Sequence, residues 1–403
     1  MLKYLNSYLQ PITVACMLFP AIAAVFTLPF VIRHYRKFGG IAIMRTVIVY
    51  SFILYCMCTF LLTVLPLPSR EAVLAMPKHG IGWIPYEDMV QGMKKCGISF
   101  SNLFDAGAWK AFFKCSDFLQ VLCNIVMTIP LGLYLRYYFK FTFRETVLMG
   151  FCASLFFEVT QYTGLYGIYP KAYRFTEMDD LINNTLGAAI GFLIEPLIAF
   201  FLPKRDEIDR ISYKKGERVT FLRRVYAFII DILFFNFIFA LMEFTIIPTS
   251  AVSLRTTILA WTGTMILYYL IIPCFMKGRT FGQKMLKLKI VSENGEKAKW
   301  RQVIGRNFLL YGIEYMLVSI NGVCIANFIS ALVTRSNTFY VMFILGTVSF
   351  VPLILEIILV LRCVKKYNQT PHSHYSHTKE IAYGRKVMEK FDVEEAEKSS
   401  LCD

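Results

Sequence analysis

Charge is the property in which this sequence is poorest. Charged side chains make up 18% of its 403 residues, whereas about a quarter of the residues of a soluble domain are charged. Hydrophobic residues account for 56%, and the mean hydropathy is +0.51. A soluble protein of this length would bury a large core but would need more surface charge. Several apolar runs instead reach roughly 20 residues, enough to cross a hydrocarbon core.

The sequence also lacks the short motifs that mark common catalytic and metal sites. Its 11 cysteines include no CxxC pair and no metal-ligand spacing, and it contains neither a nucleophile motif nor a phosphate-binding loop. We therefore expect no metal, no cofactor and no enzymatic turnover, with a lipid-modifying activity left open. Cys96 and Cys115 fall in one long polar loop, where an oxidising compartment would allow a disulfide.

The net charge of +15 does not indicate a nucleic-acid partner, because the basic residues lie in short loops between apolar runs. The positive-inside rule predicts that placement for cytoplasmic loops. With the N-terminus outside, the inner segments hold 32 of the 43 lysines and arginines. We therefore expect a cell-membrane location, an outer N-terminus, a cytoplasmic C-terminal tail and the lipid bilayer as a partner.

The apolar segments predict an all-α polytopic membrane protein with about nine transmembrane helices. Residues 1–202 would form one domain of about five spans with a long outer loop, 67–116, and residues 225–380 a second domain of about four. A basic cytoplasmic linker, 203–224, lies between them, and 381–403 form a charged tail. The predicted spans lie near 11–32, 44–66, 118–138, 145–165, 180–202, 225–247, 256–276, 313–333 and 338–361.

One cytoplasmic segment, 277–300, has the pattern of a strand rather than of a helix. Apolar and basic residues alternate over 285–291, which is the two-residue period of a strand. Glu293, Asn294 and Gly295 then form a turn signal. The segment therefore predicts a small β-hairpin at the membrane surface.

Polar residues at the fourth and fifth predicted spans form the most informative stretch. Glu158 and Gln161 are three residues apart, so they share a helix face. Asp180 and Asn184 are four apart and also share a face, at the outer end of the next span. Two glycines continue that face and would let another helix approach closely; they are Gly187 and Gly191.

If that neighbouring helix is the fourth span, Glu158 and Gln161 face Asp180 and Asn184. Arg174, in the connecting loop, would then reach the carboxylates, and we expect a bidentate contact there. The result would be a polar pocket at the outer leaflet, lined on one side by the long loop.

Three interpretations of this cluster remain open. The aspartates at the start of the fifth span would cap a helix, and Glu158 and Arg174 would pair to hold two helices together. A binding site for a ligand or a lipid headgroup is the second interpretation. Acid–base catalysis or ion coupling is the third, because carboxylates at a membrane are costly and usually functional.

The cluster resembles the signature of the VanZ-like family, which is Glu-x-x-Gln on one span, an Arg, and Asp-x-x-x-Asn-x-x-Gly opening the next. The resemblance covers about residues 40–200, and the loop between Gln161 and Arg174 is longer than usual for the family. It implies an integral membrane protein linked to resistance against glycopeptide antibiotics, teicoplanin especially, but no biochemical mechanism. The matching residues are Glu158, Gln161, Arg174, Asp180, Asn184 and Gly187, with Asn124, Pro130 and Gly132 matching an earlier motif.

The second half contains an arginine and an aspartate at helical spacing. Arg224 and Asp231 are seven residues apart, two turns along one face. Asp231 would lie roughly 10 Å inside the span, a costly depth unless the carboxylate is paired. We therefore predict a structural intramembrane ion pair between Arg224 and Asp231.

This half resembles the RDD family, named for one arginine and two aspartates, over about residues 218–380. The resemblance rests on Arg224 and Asp231, on the run from Gly278 through the strand-like segment, and on Arg306 with Asn307. The chain departs from the family at the second aspartate, whose place Ser373 takes. The family's function is largely undefined, with transport proposed. His372, His374 and His377 would allow metal binding, and a flexible histidine patch in a cytoplasmic tail is the simpler interpretation.

The sequence leaves three functions to compare. The first is a non-enzymatic envelope protein whose outer pocket binds a lipid-linked cell-wall precursor or a lipoglycopeptide. The second is a transporter or ion exchanger that uses intramembrane carboxylates such as Asp231. The third is a membrane enzyme in which Glu158 and Asp180 act as acid and base, and no accompanying nucleophile or metal motif supports it.

Overall fold

The computed structural model describes residues 2–77, 80–98, 104–216, 218–246, 253–316 and 369–383, with scattered positions between 325 and 366. Within these residues, six helical segments are long and apolar enough to cross a membrane. The predicted all-α polytopic class is therefore confirmed. The eighth and ninth predicted spans lie largely outside the described residues, so the count of nine stays a prediction. The six segments are Leu9–Phe38, Ile43–Val64, Ser116–Tyr137, Met178–Ala199, Phe221–Thr245 and Arg255–Phe275.

The chain divides into two compact units. Unit 1 comprises Met1–Thr27 and Ala42–Ile211, and unit 2 comprises Leu28–Ile41 and Ser212–Asp403. The first helix, α1 (Leu2–Phe38), contributes its first part to unit 1 and its last turns to unit 2. The other helices that begin in unit 1 are α2 (Ile43–Val64), α3 (Arg70–Ala75), α4 (Glu87–Lys95), α5 (Ala106–Phe112), α6 (Ser116–Tyr137), α7 (Phe143–Tyr162), α8 (Met178–Ala199) and α9 (Arg205–Gly216).

Helix α8 lies very close to α6, because glycines occupy the crossing. A side-chain carbon on Gly187 would collide with the carbonyl oxygen of Ile125, and one on Gly191 would collide with another α6 carbonyl. Gly132 of α6 lies equally close to the Ala188 carbonyl of α8. Small residues permit such an approach between membrane helices. The helix against the glycine face is therefore α6, the third predicted span, and not the fourth span considered from the sequence.

The fourth predicted span forms helix α7, which lies against another part of α8. A capping box of Thr142 and Glu145 starts the helix by satisfying main-chain N–H groups that have no partner within it. Gly150 faces the Ala188 side chain, and Ser154 reaches the α8 backbone. Charged residues lower the hydropathy of α7, and it is not one of the six segments named above.

The long polar loop between α2 and α6 folds as a small cap. Its helices α4 and α5 enclose a cluster in which Ile98, Ala108 and Phe112 are buried. Cys96 and Cys115 pack against this cluster as free thiols. Strand β1 (Ile81–Gly82) pairs in parallel with β2 (Thr176–Glu177), which directly precedes α8. The cap therefore meets the polar stretch at the start of α8.

Unit 2 is built around α10 (Phe221–Ile246). Two π-helical segments, Ile266–Ile271 and Phe308–Glu314, continue neighbouring helices and carry buried tyrosines. The rings of Tyr269 and Tyr311, one from each segment, stack with centroids 3.8 Å apart. The other helices whose bounds the structure describes in this unit are α11 (Leu254–Met265), α12 (Ile272–Phe275), α13 (Phe281–Met285), α14 (Trp300–Asn307) and α15 (Pro371–Tyr375).

The strand predicted within 277–300 exists, but its main partner is distant in the chain. Strand β3 (Leu288–Ser292) forms an antiparallel ladder with β4 (Thr378–Ala382). The predicted turn is also present, with Gly295 at a φ of 86° and a single bridge between Val291 and Lys297. The hairpin expectation was therefore incomplete, because the two-residue period shows that a strand needs a partner without showing which segment supplies it.

Candidate functional site

Glu158 lies near the end of α7 and is 5% exposed. One of its carboxylate oxygens accepts a hydrogen bond from the main-chain N–H of Glu177 at 3.2 Å. Glu177 is the last residue of β2 and immediately precedes α8. Glu158 is thus fixed to the entry of α8, and its contact is with the backbone rather than with Arg174.

Arg174 occupies a different position from the one that we expected. Its guanidinium donates to the carbonyl oxygens of Thr63 at 3.0 Å and Leu65 at 2.5 Å, at the C-terminal end of α2. Gln161 donates to the same Thr63 carbonyl at 2.9 Å. The last carbonyls of a helix have no partner within it and carry partial negative charge, so they attract a cation. Among the described residues Arg174 forms no carboxylate ion pair, and the expected bidentate contact is replaced by this helix cap.

Asp180 and Asn184 belong to a second group of polar contacts. Asn124 of α6 donates to the Asp180 carboxylate. Ser154 of α7 donates to the Asp180 carbonyl at 3.1 Å, and Asn184 donates to the Ser154 hydroxyl at 3.0 Å. These contacts join α6, α7 and α8. The five site residues predicted in unit 1 are therefore neighbours, but they divide between the end of α2, the backbone of β2 and this three-helix junction.

Asp231 of α10 is completely buried in unit 2 and accepts four hydrogen bonds. The donors are the hydroxyls of Tyr268 at 3.0 Å, Thr280 at 2.6 Å and Tyr311 at 2.6 Å, together with the Gly282 main-chain N–H at 2.7 Å. A carboxylate accepts about four hydrogen bonds. The oxygens of Asp231 are therefore fully engaged, and none of the described residues gives it a positively charged partner.

Arg224 forms its ion pair with Glu380 of β4, at 3.0 Å, and not with Asp231. Arg306 of α14 also pairs with Glu380, at 2.5 Å, and both Arg306 and Glu380 are buried. The predicted Arg224–Asp231 pair is therefore replaced by a group of two arginines and one glutamate. Seven residues of helix separate Arg224 from Asp231 by about 10 Å along the axis, whereas the β3–β4 ladder brings a nearer carboxylate.

Comparison with known protein families identifies two matching regions of the chain. The VanZ/LLP1 family model matches residues 52–199, and the RDD family model matches residues 218–374. The chain joins a VanZ-like domain to an RDD-family domain. It is an integral, multi-pass membrane protein. No curated protein and no solved structure matches the chain.

The VanZ-like domain contains an acidic cavity of about 300 Å³ between its cap and the start of α8. Four carboxylates belong to its wall, and the other lining residues are uncharged. The residues predicted from the sequence lie beside this cavity rather than in its wall: Glu158 contacts Glu177, and Asp180 follows Asp179. The lining residues are Gly82, Ile84, Glu87, Asp88, Phe175, Glu177 and Asp179.

Tyr86 attaches the cap to α8 beside the cavity. Its backbone adopts a φ of 59°, and its main-chain N–H donates to Asp179 at 2.7 Å. Its hydroxyl donates to the amide oxygen of Asn183 at 3.0 Å. Burial, followed by the nearby charge of Asp179, raises the pKa of the Tyr86 hydroxyl.

Glu177 is the cavity carboxyl with the most perturbed proton affinity. Burial first, and then the negative charges of Asp180, Asp88 and Asp179, raises its pKa from 4.5 to about 7. Gln120 of α6 donates to it at 3.3 Å. Like charges and removal from water both disfavour the ionised form of a carboxyl. Near neutral pH Glu177 is therefore partly protonated, and a cation bound in the cavity would favour its ionised form.

Sequence reasoning missed most of the cavity wall. Glu87 and Asp88 open α4, where acidic residues are expected for helix-dipole reasons alone. Asp179 and Glu177 adjoin Asp180, which drew attention through its helical spacing with Asn184. The parallel pairing of β1 with β2 and the contacts of Tyr86 with α8 bring the acidic residues of the cap to this point, and neither is visible in the sequence.

In the RDD-family domain, the histidine run occupies α15 and the turn that leads into β4. His372 lies in α15 and is buried, whereas the side chain of His377 is exposed and lies 3.4 Å from Glu293. Burial, and then the positive charges of Arg306 and Arg224, lowers the pKa of His372 well below its usual value. The expectation of a flexible histidine patch is therefore wrong for this segment. Within the described residues no three His, Cys, Asp or Glu side chains are placed to hold a metal ion.

Proposed function

We propose that this protein is a non-enzymatic membrane protein of the cell envelope whose VanZ-like domain binds a positively charged group at the outer surface. The observation that carries the proposal is the acidic cavity, in which Glu87, Asp88, Glu177 and Asp179 surround about 300 Å³ of space. An ammonium group is the complementary chemistry, because charge-assisted hydrogen bonds to carboxylates are strong. A lipid-linked cell-wall precursor or a lipoglycopeptide presents such groups beside the membrane, so the proposed role is in resistance to teicoplanin-type antibiotics.

The proposed orientation places the N-terminus outside and the C-terminal tail in the cytoplasm. Its support is the distribution of basic residues, 32 of 43 of which fall on the proposed inner side. The cap, which supplies Glu87 and Asp88, would then face outward. Exposed lysines allow a test with an amine-reactive reagent that does not cross membranes. In intact cells it should label Lys94 and Lys95 of the cap but not Lys214 and Lys215 of α9, and the reverse pattern would contradict the orientation.

A binding role accounts for the polar contacts better than acid–base catalysis does. Ser154, the hydroxyl at the centre of the three-helix junction, donates to a main-chain carbonyl rather than to a base. An activated nucleophile needs a hydrogen bond to a general base. Glu158 is likewise engaged with the Glu177 main-chain N–H. These groups stabilise the backbone next to the cavity.

The geometry gives less support to ion transport through Asp231. Its carboxylate already accepts from Tyr268, Thr280, Tyr311 and the Gly282 main-chain N–H. A transported cation would have to displace at least one of these donors. This arrangement favours a structural role for Asp231 in joining α10 to its neighbours.

Removal of charge from the cavity tests the proposed function. In cells that express the protein, the double variant Glu87→Gln/Asp88→Asn should lose protection against a teicoplanin-type lipoglycopeptide. Glu71→Gln is the matched control, because it neutralises an exposed carboxylate of α3 in the same polar loop, outside the cavity wall. Purified double variant should bind a fluorescent lipoglycopeptide about tenfold more weakly than the control.

Two results would contradict the proposal. One is unchanged susceptibility of the double variant at normal protein levels. The other is an equal loss of protection in Glu71→Gln, which would indicate a general effect of loop charge rather than binding in the cavity.

A further inference from the structure

The RDD-family domain contains a second cavity, of about 180 Å³, whose chemistry differs from that of the acidic one. Its wall is mainly apolar and includes Phe221, Phe228, Leu310 and Tyr311. Charged side chains gather in the same wall: Arg224, Arg306 and Glu380. An apolar chamber with a few convergent polar groups is the usual form of a small-molecule site.

Arg306 is the feature that points to a ligand. The residue is 1% exposed, and its Nη2 donates to Glu380. Its Nε and Nη1 atoms are buried and have no hydrogen-bond partner among the described residues. A guanidinium carries five donors, and a buried donor without a partner is costly. The cavity wall therefore presents N–H donors without an acceptor, on the permanently charged guanidinium of Arg306.

The charge of the wall is also unbalanced. Arg224 and Arg306 contribute two positive charges, and Glu380, which pairs with both, contributes one negative charge. His372 is held neutral by its burial and by the two arginines, as its lowered pKa indicates. One positive charge therefore remains beside an apolar chamber, and a buried charge is costly unless it is paired.

We propose that this cavity binds an anionic amphiphile, with a singly charged oxyanion head on the free donors of Arg306 and the first part of an apolar chain between Phe228 and Leu310. Both a carboxylate and a phosphodiester supply that head. The volume lies below the roughly 300–1,000 Å³ of sites that enclose a whole drug-sized ligand. It therefore suits a head and the adjoining methylenes, with the rest of the chain outside.

A photoreactive fatty acid tests this proposal on the full chain in nanodiscs of neutral phosphatidylcholine. A laurate derivative with a diazirine near its carboxylate should label residues of 221–228 and 310–311, and unlabelled laurate should compete. Dodecanol, which lacks the anion, and inorganic phosphate, which lacks the chain, should compete poorly. Phosphatidylglycerol should compete if a phosphodiester head is also accepted, and its failure would restrict the site to carboxylates.

Two variants separate binding from loss of structure. Arg306→Gln removes the proposed anion contact, and Leu310→Trp fills the chamber while keeping the Arg224–Glu380–Arg306 group. Arg306→Gln should reduce labelling by about tenfold, the loss expected for one charged hydrogen bond. Leu310→Trp should reduce labelling because the added ring occupies the space of the apolar chain. Arg301→Gln is the matched control, because Arg301 is an exposed arginine of the same helix outside the cavity wall.

Several outcomes would overturn the proposal. Competition by dodecanol equal to that by laurate would show that the anion is irrelevant. Equal competition by inorganic phosphate would indicate a simple anion site. Full labelling of Leu310→Trp would place the lipid elsewhere. The result is independent of the acidic cavity in the VanZ-like domain, since none of these variants alters that domain.

Discussion

Gln161 and Arg174 donate to the same carbonyl oxygen, that of Thr63 in the last turn of α2, at 2.9 and 3.0 Å. Arg174 also donates to the Leu65 carbonyl. Two residues of the family signature thus donate hydrogen bonds to main-chain carbonyls at the end of a membrane helix, where a carbonyl without a partner is costly. Their first role in this chain is to attach the α7–α8 connection to α2.

Because the two side chains share one acceptor, we expect their substitutions to be non-additive. Arg174→Ala should destabilise the protein by about 1.5–3 kcal/mol, the contribution of hydrogen bonds to a charged group. In Gln161→Leu/Arg174→Ala the combined loss should differ from the sum of the single losses by about 0.5 kcal/mol or more. Unfolding in mixed detergent–SDS micelles measures these values. Lys110→Ala, at an exposed lysine of α5, is the control, and additive losses would argue against a shared cap.

The pairing of Arg224 with Glu380 predicts a coupling that Asp231 should not share. Glu380→Gln leaves the buried Arg306 and the partly exposed Arg224 without their carboxylate partner and should cost roughly 3–5 kcal/mol. A double-mutant cycle of Arg224→Gln with Glu380→Gln should give a coupling energy of about 1 kcal/mol or more, whereas Arg224→Gln with Asp231→Asn should be additive within about 0.5 kcal/mol. If the cycle with Asp231 instead gave the larger coupling energy, the result would support an ion pair between Arg224 and Asp231.

The α6–α8 crossing predicts a penalty for even one added methyl group. Gly187→Ala places a carbon against the Ile125 carbonyl and the Thr128 hydroxyl, and such overpacking should cost about 1–3 kcal/mol. Gly263→Ala is the matched control, because Gly263 lies in α11 with nothing within 4 Å of the added carbon. There alanine should raise stability by up to about 1 kcal/mol through its higher helix propensity. Equal effects of the two substitutions, measured by unfolding in micelles, would contradict the close crossing.

The raised pKa of Glu177 predicts a pH dependence of stability. Burial and neighbouring carboxylates lift that pKa from 4.5 to about 7, so the folded protein keeps a proton that the unfolded chain has released. The stabilisation is complete below about pH 4.5 and is lost as the pH rises through about 7. The free energy of unfolding of the wild type should therefore fall across this window. In Glu177→Gln the fall should be smaller, and identical pH profiles of the two proteins would refute the assignment.

Local patterns were sufficient for some features of this chain because those features depend on neighbours in sequence. The low charge and the long apolar runs predicted the polytopic class, and the helical spacing of Asp180 and Asn184 correctly placed both at the entry of α8. The period of 285–291 likewise predicted strand β3. Hydropathy and periodicity are sums over short windows, so a single sequence contains them completely.

The sequence was less informative about which residues, distant in the chain, pair with each other. Arg174 had candidate carboxylates on two spans, but its donors are used by the carbonyls at the end of α2. Arg224 had a carboxylate two turns away, but β4 brings Glu380 closer. In each case several pairings are compatible with the same sequence, and the packing of elements that are distant in the chain decides which partner lies within reach.

The sequence by itself thus determined that this is a membrane protein with a VanZ-like and an RDD-like half, and which polar residues interrupt its helices. Only the tertiary structure decided that the acidic cavity is lined by Glu87 and Asp88 of the cap together with Glu177 and Asp179. The physical reason is that helical spacing shows which residues share a face of one helix, whereas a cavity requires that separate elements meet. Here the short pairing of β1 with β2 brings them together.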